Sequence, residues 1–177
     1  YSQNSNGTVT LTKYYGNGAK VNVPFSIKIN NVPKKVTALG DGLFKKNTTI
    51  TTVTLPDSLT KIGASAFEGC TKLTALEIPD TVTGIGASAF SGCTSLKMIR
   101  IPNGVTSISD NMMKNCRSMK GELYLPSGLT SVGAGAFQGC TGITKVHVFG
   151  YLKKIAQNAF AGCSGISSAA YAGTKRG

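Results

Sequence analysis

Five cysteines and one histidine are the residues of this 177-residue chain that could support metal binding, disulfide formation or nucleophilic catalysis. A zinc site needs cysteines or histidines in closely spaced pairs, and a thiol nucleophile needs a base beside it. The cysteines instead follow one another at intervals of 23 or 24 residues, so the pair spacing of a zinc site is absent. They are Cys70, Cys93, Cys116, Cys140 and Cys163.

The even spacing of the cysteines is part of a longer repeat. The segment "IGASAFEGC" at residues 62–70 returns as "IGASAFSGC" at 85–93 and as "VGAGAFQGC" at 132–140. A branched residue opens each copy and an aromatic residue follows five places later, except that Met113 takes this place in the fourth copy. Asn47 holds the cysteine slot of the first copy. The chain therefore contains six copies, opening at Leu39, Ile62, Ile85, Ile108, Val132 and Ile155.

Each copy has the same predicted elements. An alternating apolar run follows the cysteine slot, as in "LTALEIP" at residues 73–79, and such alternation predicts a half-buried strand that ends at the proline. The short "ASAF" segment is long enough for one helical turn. Glycine, or Asn115 in the fourth copy, precedes each cysteine and favours a left-handed backbone, whereas Lys46 breaks this pattern in the first copy and predicts an altered turn there.

The repeat predicts a solenoid, because one unit of 23 residues buries too little apolar surface to offset the entropy of ordering it. The inward side chains of the second copy are predicted to be buried against the neighbouring copies: Leu59, Ile62, Ala66, Phe67, Cys70, Leu73, Leu76 and Ile78.

The cysteine slot is interpreted as a structural column of small, buried side chains that support the turn backbone. A thiol behaves as a compact apolar group with a weak donor, and Asn47 in the same slot would hydrogen-bond the turn. Free thiols are the favoured interpretation, and disulfides between neighbouring copies remain the alternative. His147 stands on a predicted strand away from the cysteines, so we predict no catalytic residue, no metal, no cofactor and no enzyme activity. The structural column is Asn47, Cys70, Cys93, Cys116, Cys140 and Cys163.

The repeat resembles the BspA-like, or Treponema-type, leucine-rich repeat. Residues 70–93, "CTKLTALEIPDTVTGIGASAFSGC", carry the resemblance most fully, and the fourth copy departs from it near Gly121, where we expect a bulge or a longer loop. The front segment "GTVTLTKYYGNGAKVNVPFSI" resembles strands that lead into such arrays. We therefore predict an N-terminal β-strand cap at 1–37 and a repeat array at 38–177, divided into 38–60, 61–83, 84–106, 107–130, 131–153 and 154–177. The sixth copy lacks the proline, and we expect the chain to be part of a longer array.

The resemblance implies an α/β solenoid: a right-handed leucine-rich-repeat arc of about six 23-residue repeats, mostly β with short helical turns, with a parallel concave β-sheet. It also implies secretion or display on a microbial cell surface, and adhesion to proteins such as the host matrix components fibronectin and fibrinogen. The expected function is a non-catalytic, adhesin-like binding module. A structural spacer or a targeting domain of a larger surface protein is the alternative.

A partner is predicted to bind the concave strands, on the residues that alternate with the buried ones. The middle copies are richest there in the residue types of binding surfaces, although solvated sheet residues would show the same alternation. The predicted partner-binding residues are Met98, Arg100, Glu122, Tyr124, Lys145 and His147.

The chain carries 19 lysine and arginine residues against 7 acidic residues, a formal net charge of +12. The lysines are scattered and few aromatic residues lie among them, which disfavours nucleic acid as a partner and leaves a protein partner or an acidic surface. No run approaches 18 apolar residues, so we expect no membrane insertion. We expect a monomer.

Overall fold

The alternating apolar runs form the strands of two parallel sheets, here called the front sheets, in a computed structural model that describes residues 1–171. The last predicted repeat, 154–177, therefore ends in six residues that lie outside the described part of the chain. One front sheet has the order β3-β6-β8 and the other β11-β13-β15. Their strands are β3 (Lys20–Asn22), β6 (Thr52–Thr54), β8 (Ala75–Leu76), β11 (Lys120–Tyr124), β13 (Gly142–Val148) and β15 (Ser168–Tyr171).

A second series of strands lies at the branched residue that opens each copy, and its pairs are parallel except for the N-terminal pair of Ser2–Gln3 with Val9–Leu11, which is antiparallel. These strands form the side sheets, with the orders β1-β2-β5-β7-β9 and β10-β12-β14. Every coil except the third thus contributes to a front sheet and to a side sheet, which confirms a stacked β-solenoid. The side strands are β1 (Ser2–Gln3), β2 (Val9–Leu11), β5 (Val32–Leu39), β7 (Lys61–Ile62), β9 (Gly84–Ile85), β10 (Ser107–Ile108), β12 (Ser131–Val132) and β14 (Lys154–Ile155).

The N-terminal segment extends both series of sheets. β3 pairs in parallel with β6, and β2 pairs in parallel with β5. β4 (Ser26–Ile29) forms an antiparallel hairpin with β5 through Asn30 and Asn31, whose φ angles of 50° and 63° suit the tight turn of a two-residue hairpin.

The prediction of short helical turns is wrong, because residues 1–171 contain no helix. The "ASAF" segment of the second copy belongs to a series of turns over residues 64–69, in which Ser65 and Gly69 have φ angles of 55° and 72°. Left-handed residues four positions apart interrupt a right-handed helix. The amide N–H of Phe67 donates instead to the carbonyl of Ala89 in the next coil, over 2.8 Å. These turns therefore join neighbouring coils as the strands do.

The left-handed position before each cysteine is occupied as the sequence predicts, with φ angles of 61° at Asn115 and 72° at Gly69. Lys46 does not alter the turn of the first copy, contrary to expectation, because its φ of 59° is the same conformation. A second left-handed column, which the sequence analysis missed, lies four residues earlier in each copy: Gly42, Ser65, Ser88, Asn111, Gly135 and Asn158.

The front sheets are separated at the third copy, where residues 98–101 alternate between exposed and buried side chains without forming a regular strand. Single hydrogen bonds of 3.2 Å still connect the coils there, from Lys97 N to Thr74 O and from Lys120 N to Lys97 O. The expected bulge of the fourth copy is confirmed, since the register of β11 on β13 shifts between Gly121 and Glu122.

The core is one column of buried side chains running through the solenoid, and all eight inward residues predicted for the second copy are buried. Phe67 and Phe90 stack in neighbouring coils with ring centroids 5.4 Å apart and an angle of 11° between the rings. Met113 interrupts the aromatic column, which resumes as Phe137 stacks on Phe160 at 5.1 Å. The stacking therefore follows the repeat period of the sequence.

Candidate functional site

The cysteine column lies inside the solenoid, and all five cysteines are buried free thiols. Each Sγ donates a hydrogen bond to a backbone carbonyl in the preceding coil. The acceptor is the residue of the aromatic column, as when Cys93 donates to the carbonyl of Phe67 over 3.1 Å. The other four bonds have lengths of 3.0 to 3.1 Å: Cys70 to Phe44, Cys116 to Phe90, Cys140 to Met113 and Cys163 to Phe137.

Burial makes these thiols poor nucleophiles. It raises the pKa of Cys70 to about 11 and the pKa values of Cys93 and Cys140 to about 12. The thiolate is the reactive form of cysteine, and with pKa values this high almost no thiolate forms at neutral pH. His147 lies on β13 and hydrogen-bonds a glutamate, not a cysteine. Within residues 1–171, no three histidine, cysteine, aspartate or glutamate side chains are grouped so that they could hold a metal ion.

Asn47 occupies the cysteine slot differently. Its Oδ1 accepts hydrogen bonds from Thr49 N (2.9 Å), from Thr49 Oγ1 (2.9 Å) and from Ile50 N (3.0 Å). The side chain is half-buried, whereas the sequence analysis predicts a buried residue in this column. The reason is that the amide bonds its own turn at 47–50, while the thiols bond the preceding coil.

Three of the predicted partner-binding residues come together on β11 and β13. The register places Tyr124 beside His147, and their rings stack at 4.3 Å between centroids with 4° between planes. Glu122 Oε2 accepts a hydrogen bond of 2.8 Å from the Tyr124 hydroxyl and lies 2.6 Å from His147 Nε2. Phe149 adds a third ring, 6.1 Å from His147 and 6.2 Å from Tyr124. We call Glu122, Tyr124, His147 and Phe149 the aromatic ledge.

The ledge holds its carboxylate in the ionised form. The Tyr124 hydroxyl and then His147 hydrogen-bond Glu122 and lower the pKa of its carboxyl group, and the nearby charge of Lys145 acts in the same direction. The hydrogen bond to Glu122 in turn raises the pKa of Tyr124. The ledge therefore presents one fixed negative charge between exposed aromatic rings.

The remaining predicted residues are spread beyond the ledge. Lys145 is half-buried and is the register partner of Glu122. Met98 and Arg100 lie in the third copy, where Arg100 forms an ion pair of 2.8 Å with Asp80. Both residues also line an open groove of about 790 Å³ on the front of the first three copies. The structure thus gathers Glu122, Tyr124 and His147 and leaves Met98 and Arg100 at the groove.

The sequence pattern does not single out Phe149, or Asp57 and Asp80 of the groove, as candidate functional residues. Phe149 stands where four earlier copies have the proline that ends the strand, Pro56, Pro79, Pro102 and Pro126. This replacement of proline by an aromatic residue is a signal that could have identified it. Within residues 1–171, no helix is long and apolar enough to cross a bilayer.

Comparison with known proteins agrees with this geometry. The profile of the BspA type leucine rich repeat region matches residues 24–121 and 120–174, with six copies. A leucine rich repeat protein of T. pallidum is similar in structure, with a TM-score of 0.87, 30% identity, and coverage of 96% of this chain and 78% of that one. No curated protein matches the chain.

A leucine rich cell surface protein of Faecalibacterium prausnitzii is also similar, with a TM-score of 0.81, 28% identity and coverage of 97% of this chain. The present chain spans about half of that protein, 52% of its length. A leucine-rich repeat protein of Eubacterium ventriosum shares the fold, with 19% identity and a TM-score of 0.64. The match covers 90% of this chain and 45% of that protein. On the six matched copies, this chain belongs to the BspA-type leucine-rich repeat family.

Proposed function

We propose that the chain is a non-catalytic, secreted or cell-surface module that captures a protein partner on the front face, the outward surface of the front sheets. The six predicted residues Met98, Arg100, Glu122, Tyr124, Lys145 and His147 are proposed to contact this partner. Leucine-rich repeats commonly mediate protein–protein interaction, and one structural relative is itself a cell surface protein. Both facts support the class of function proposed here.

The observation that carries the proposal is the aromatic ledge. Tyr124 is 54% exposed and Phe149 is 44% exposed, yet both rings are held by stacking on His147. Tyrosine side chains dominate the energetics of many interfaces because they offer a large contact area and lose few rotamers on binding. Stacked rings have already lost part of that freedom before a partner arrives, which favours binding.

The partner is proposed to be a host matrix protein, as the resemblance to adhesins implies, and the module is proposed to act as a monomer. Capture of immobilised fibronectin, fibrinogen and mixed serum proteins tests this. The variant Tyr124→Ala/Lys145→Ala should lower the affinity for the captured protein by about thirtyfold, the effect of losing a contact worth about 2 kcal/mol.

The matched control is Tyr151→Ala/Lys154→Ala, which removes an exposed tyrosine and an exposed lysine outside the ledge. It should retain capture. Equal thermal unfolding of the two variants would show that the fold is intact in both. Capture that is unchanged in the ledge variant would contradict the proposal and favour a structural spacer.

A further inference from the structure

The groove on the front of the first three copies has a distinct shape. Apart from Glu77, the outward residues of the first two coils are small, Thr52, Thr54 and Ala75, whereas the third coil presents Met98 and Arg100. The long side chains of the third coil therefore form a wall beside a floor of short ones. Neighbouring coils are ~4.8 Å apart, so the groove is about 10 Å across, the length of roughly three extended residues.

The groove is acidic although the chain is strongly basic. Three carboxylates line it, those of Asp57, Glu77 and Asp80, and Arg100 is the one basic residue among its lining residues. Three carboxylates against one guanidinium leave a net charge of −2, while the whole chain carries +12. The positive charge that suggests an acidic partner therefore does not lie in this groove.

Arg100 shows how the groove binds a cation. Its guanidinium is 2.8 Å from Asp80, and both side chains are mostly exposed, at 57% and 74%. Asp80 first, and Glu77 through its charge, raise the pKa of Arg100. An exposed pair of this kind contributes little to stability, so a guanidinium from outside can replace Arg100 on Asp80 at small cost. Glu77 is exposed in the same groove and is available for a second contact.

We propose that this groove receives an extended, arginine- or lysine-bearing segment of the protein partner. This inference rests on the proposed function, because it assigns the chemistry of the partner that the front face captures. Carboxylates take a guanidinium in short, charge-assisted hydrogen bonds, and the hydroxyls of Thr52 and Thr54 offer donors and acceptors to the backbone of the segment. Positive charge farther than about 8 Å away is screened at physiological ionic strength. Lys20, the register partner of Thr52, is the basic residue of the neighbouring strand that lies within that range, and the three carboxylates of the groove outnumber it together with Arg100.

The test uses a fluorescent peptide of alternating arginine and threonine, with fluorescence anisotropy as the readout on the intact chain. The same peptide with citrulline in place of arginine keeps the size and removes the charge, and a third version carries glutamate. The arginine peptide should bind, and the other two should not. Equal binding of the citrulline or glutamate peptide would overturn the proposal.

Variants locate the site. Glu77→Gln should weaken binding of the arginine peptide about threefold to fivefold, the upper part of the range for one exposed charge pair. Glu68→Gln is the matched control, because Glu68 pairs with Lys45 outside the groove and its loss should leave binding unchanged. Arg100→Ala should strengthen binding, since it frees Asp80. Equal effects of Glu77→Gln and Glu68→Gln would overturn the proposal.

The outcome is distinguishable from failure of the proposed function. If Tyr124→Ala/Lys145→Ala abolishes capture of a matrix protein but Glu77→Gln leaves peptide binding unchanged, the front face binds proteins and the groove assignment is wrong. If the arginine peptide binds and depends on Glu77 while no matrix protein is captured, the groove assignment holds and the proposed partner is wrong. Analytical ultracentrifugation of the chain alone shows whether a second copy of the chain occupies the groove instead of another protein. Self-association that is lost in Glu77→Gln would overturn the proposal that the groove binds a segment of another protein.

Discussion

The carbonyl oxygen of Phe67 accepts a hydrogen bond of 3.1 Å from the thiol of Cys93, in the following copy. The same oxygen accepts the amide N–H of Cys70 over 3.0 Å, so both of its lone pairs are used. The amide of Cys70 already satisfies this buried carbonyl, so the second lone pair needs only a weak donor, and the thiol of Cys93 supplies it. The cysteine column therefore connects neighbouring coils through the turns.

The thiols are predicted to be unreactive in the folded protein. Ellman's reagent at mildly alkaline pH should react with few groups in the native chain and with five in concentrated guanidinium chloride. The physical reason is that the thiols are buried and their pKa values are raised, so neither access nor thiolate is available. A count below five under denaturing, non-reducing conditions would mean that disulfides exist in the purified protein.

The raised thiol pKa values predict a loss of stability at alkaline pH. The ordinary pKa is 9.0, and in the folded state it is about 11 for Cys70 and about 12 for Cys93 and Cys140. The folded state thus holds these protons more tightly than the unfolded state, and unfolding becomes easier as the unfolded thiols ionise. The contribution is fully present below pH 9 and is lost as the pH rises towards 11 to 12.

Urea unfolding at a series of pH values between neutral and pH 11 measures this effect. Lysines lose their charge and tyrosines gain one in that range, so the comparison with Cys93→Ala/Cys140→Ala isolates the thiols. The double variant should lose less stability than the parent chain as the pH rises. Parallel pH profiles for the two proteins would show that the buried thiols do not contribute.

The hydrogen bond between Tyr124 and Glu122 predicts coupled titration on the ledge. Tyr124→Phe keeps the ring that stacks on His147 and removes only the hydroxyl, the largest cause of the lowered Glu122 pKa. The pKa of Glu122 should therefore rise towards its ordinary value in this variant. NMR observation of the side-chain carboxyl carbon of Glu122 during an acid titration measures it, and Tyr151→Phe is a control that should have no effect.

The sequence predicts the stacked coils and the buried face well, because each inference is supported by several copies. Phe67 and Leu73 occupy columns in which every copy has an apolar residue, Cys70 a column in which every copy but the first has cysteine, and the period assigns all three to one side of the coil. The left-handed residue before each cysteine is predicted for the same reason. These features depend on distances along the chain that the repeat itself supplies.

The features that the sequence did not predict depend on contacts between coils. The "ASAF" turn is not helical because its N–H groups bond a coil 22 residues away, and Ser65 gives no local signal of its left-handed conformation. The contact between Glu122 and His147 crosses two strands diagonally, and it forms where the bulge after Gly121 sets the register. Alternation along one strand identifies both residues as outward-facing, but it cannot show that they touch.

The aromatic column predicts a large cost for removing a ring from the middle of the array. Phe90 is fully buried against Phe67, and Phe90→Ala should lower the free energy of unfolding by about 3–5 kcal/mol through lost burial and a cavity. Phe90→Met should cost less than about 1.5 kcal/mol, because the fourth copy already has a fully buried methionine, Met113, at the equivalent position of this column. Urea unfolding followed by circular dichroism measures both, and equal costs for the two variants would contradict this account of the column.

The turn of the first copy predicts a substitution that should stabilise the chain. Lys46 has a φ of 59°, a conformation that is unfavourable for any residue with a Cβ, whereas four of the equivalent residues are glycines. Lys46→Gly removes this strain, but glycine also has greater conformational entropy in the unfolded chain, which offsets part of the gain. The net result should be a rise of about 0.5–1 kcal/mol in the free energy of unfolding. Lys46→Ala removes the same side chain but keeps the Cβ, so it should bring no gain. If alanine stabilises the chain as much as glycine does, the effect comes from the loss of a lysine charge and not from the left-handed backbone that the six copies share.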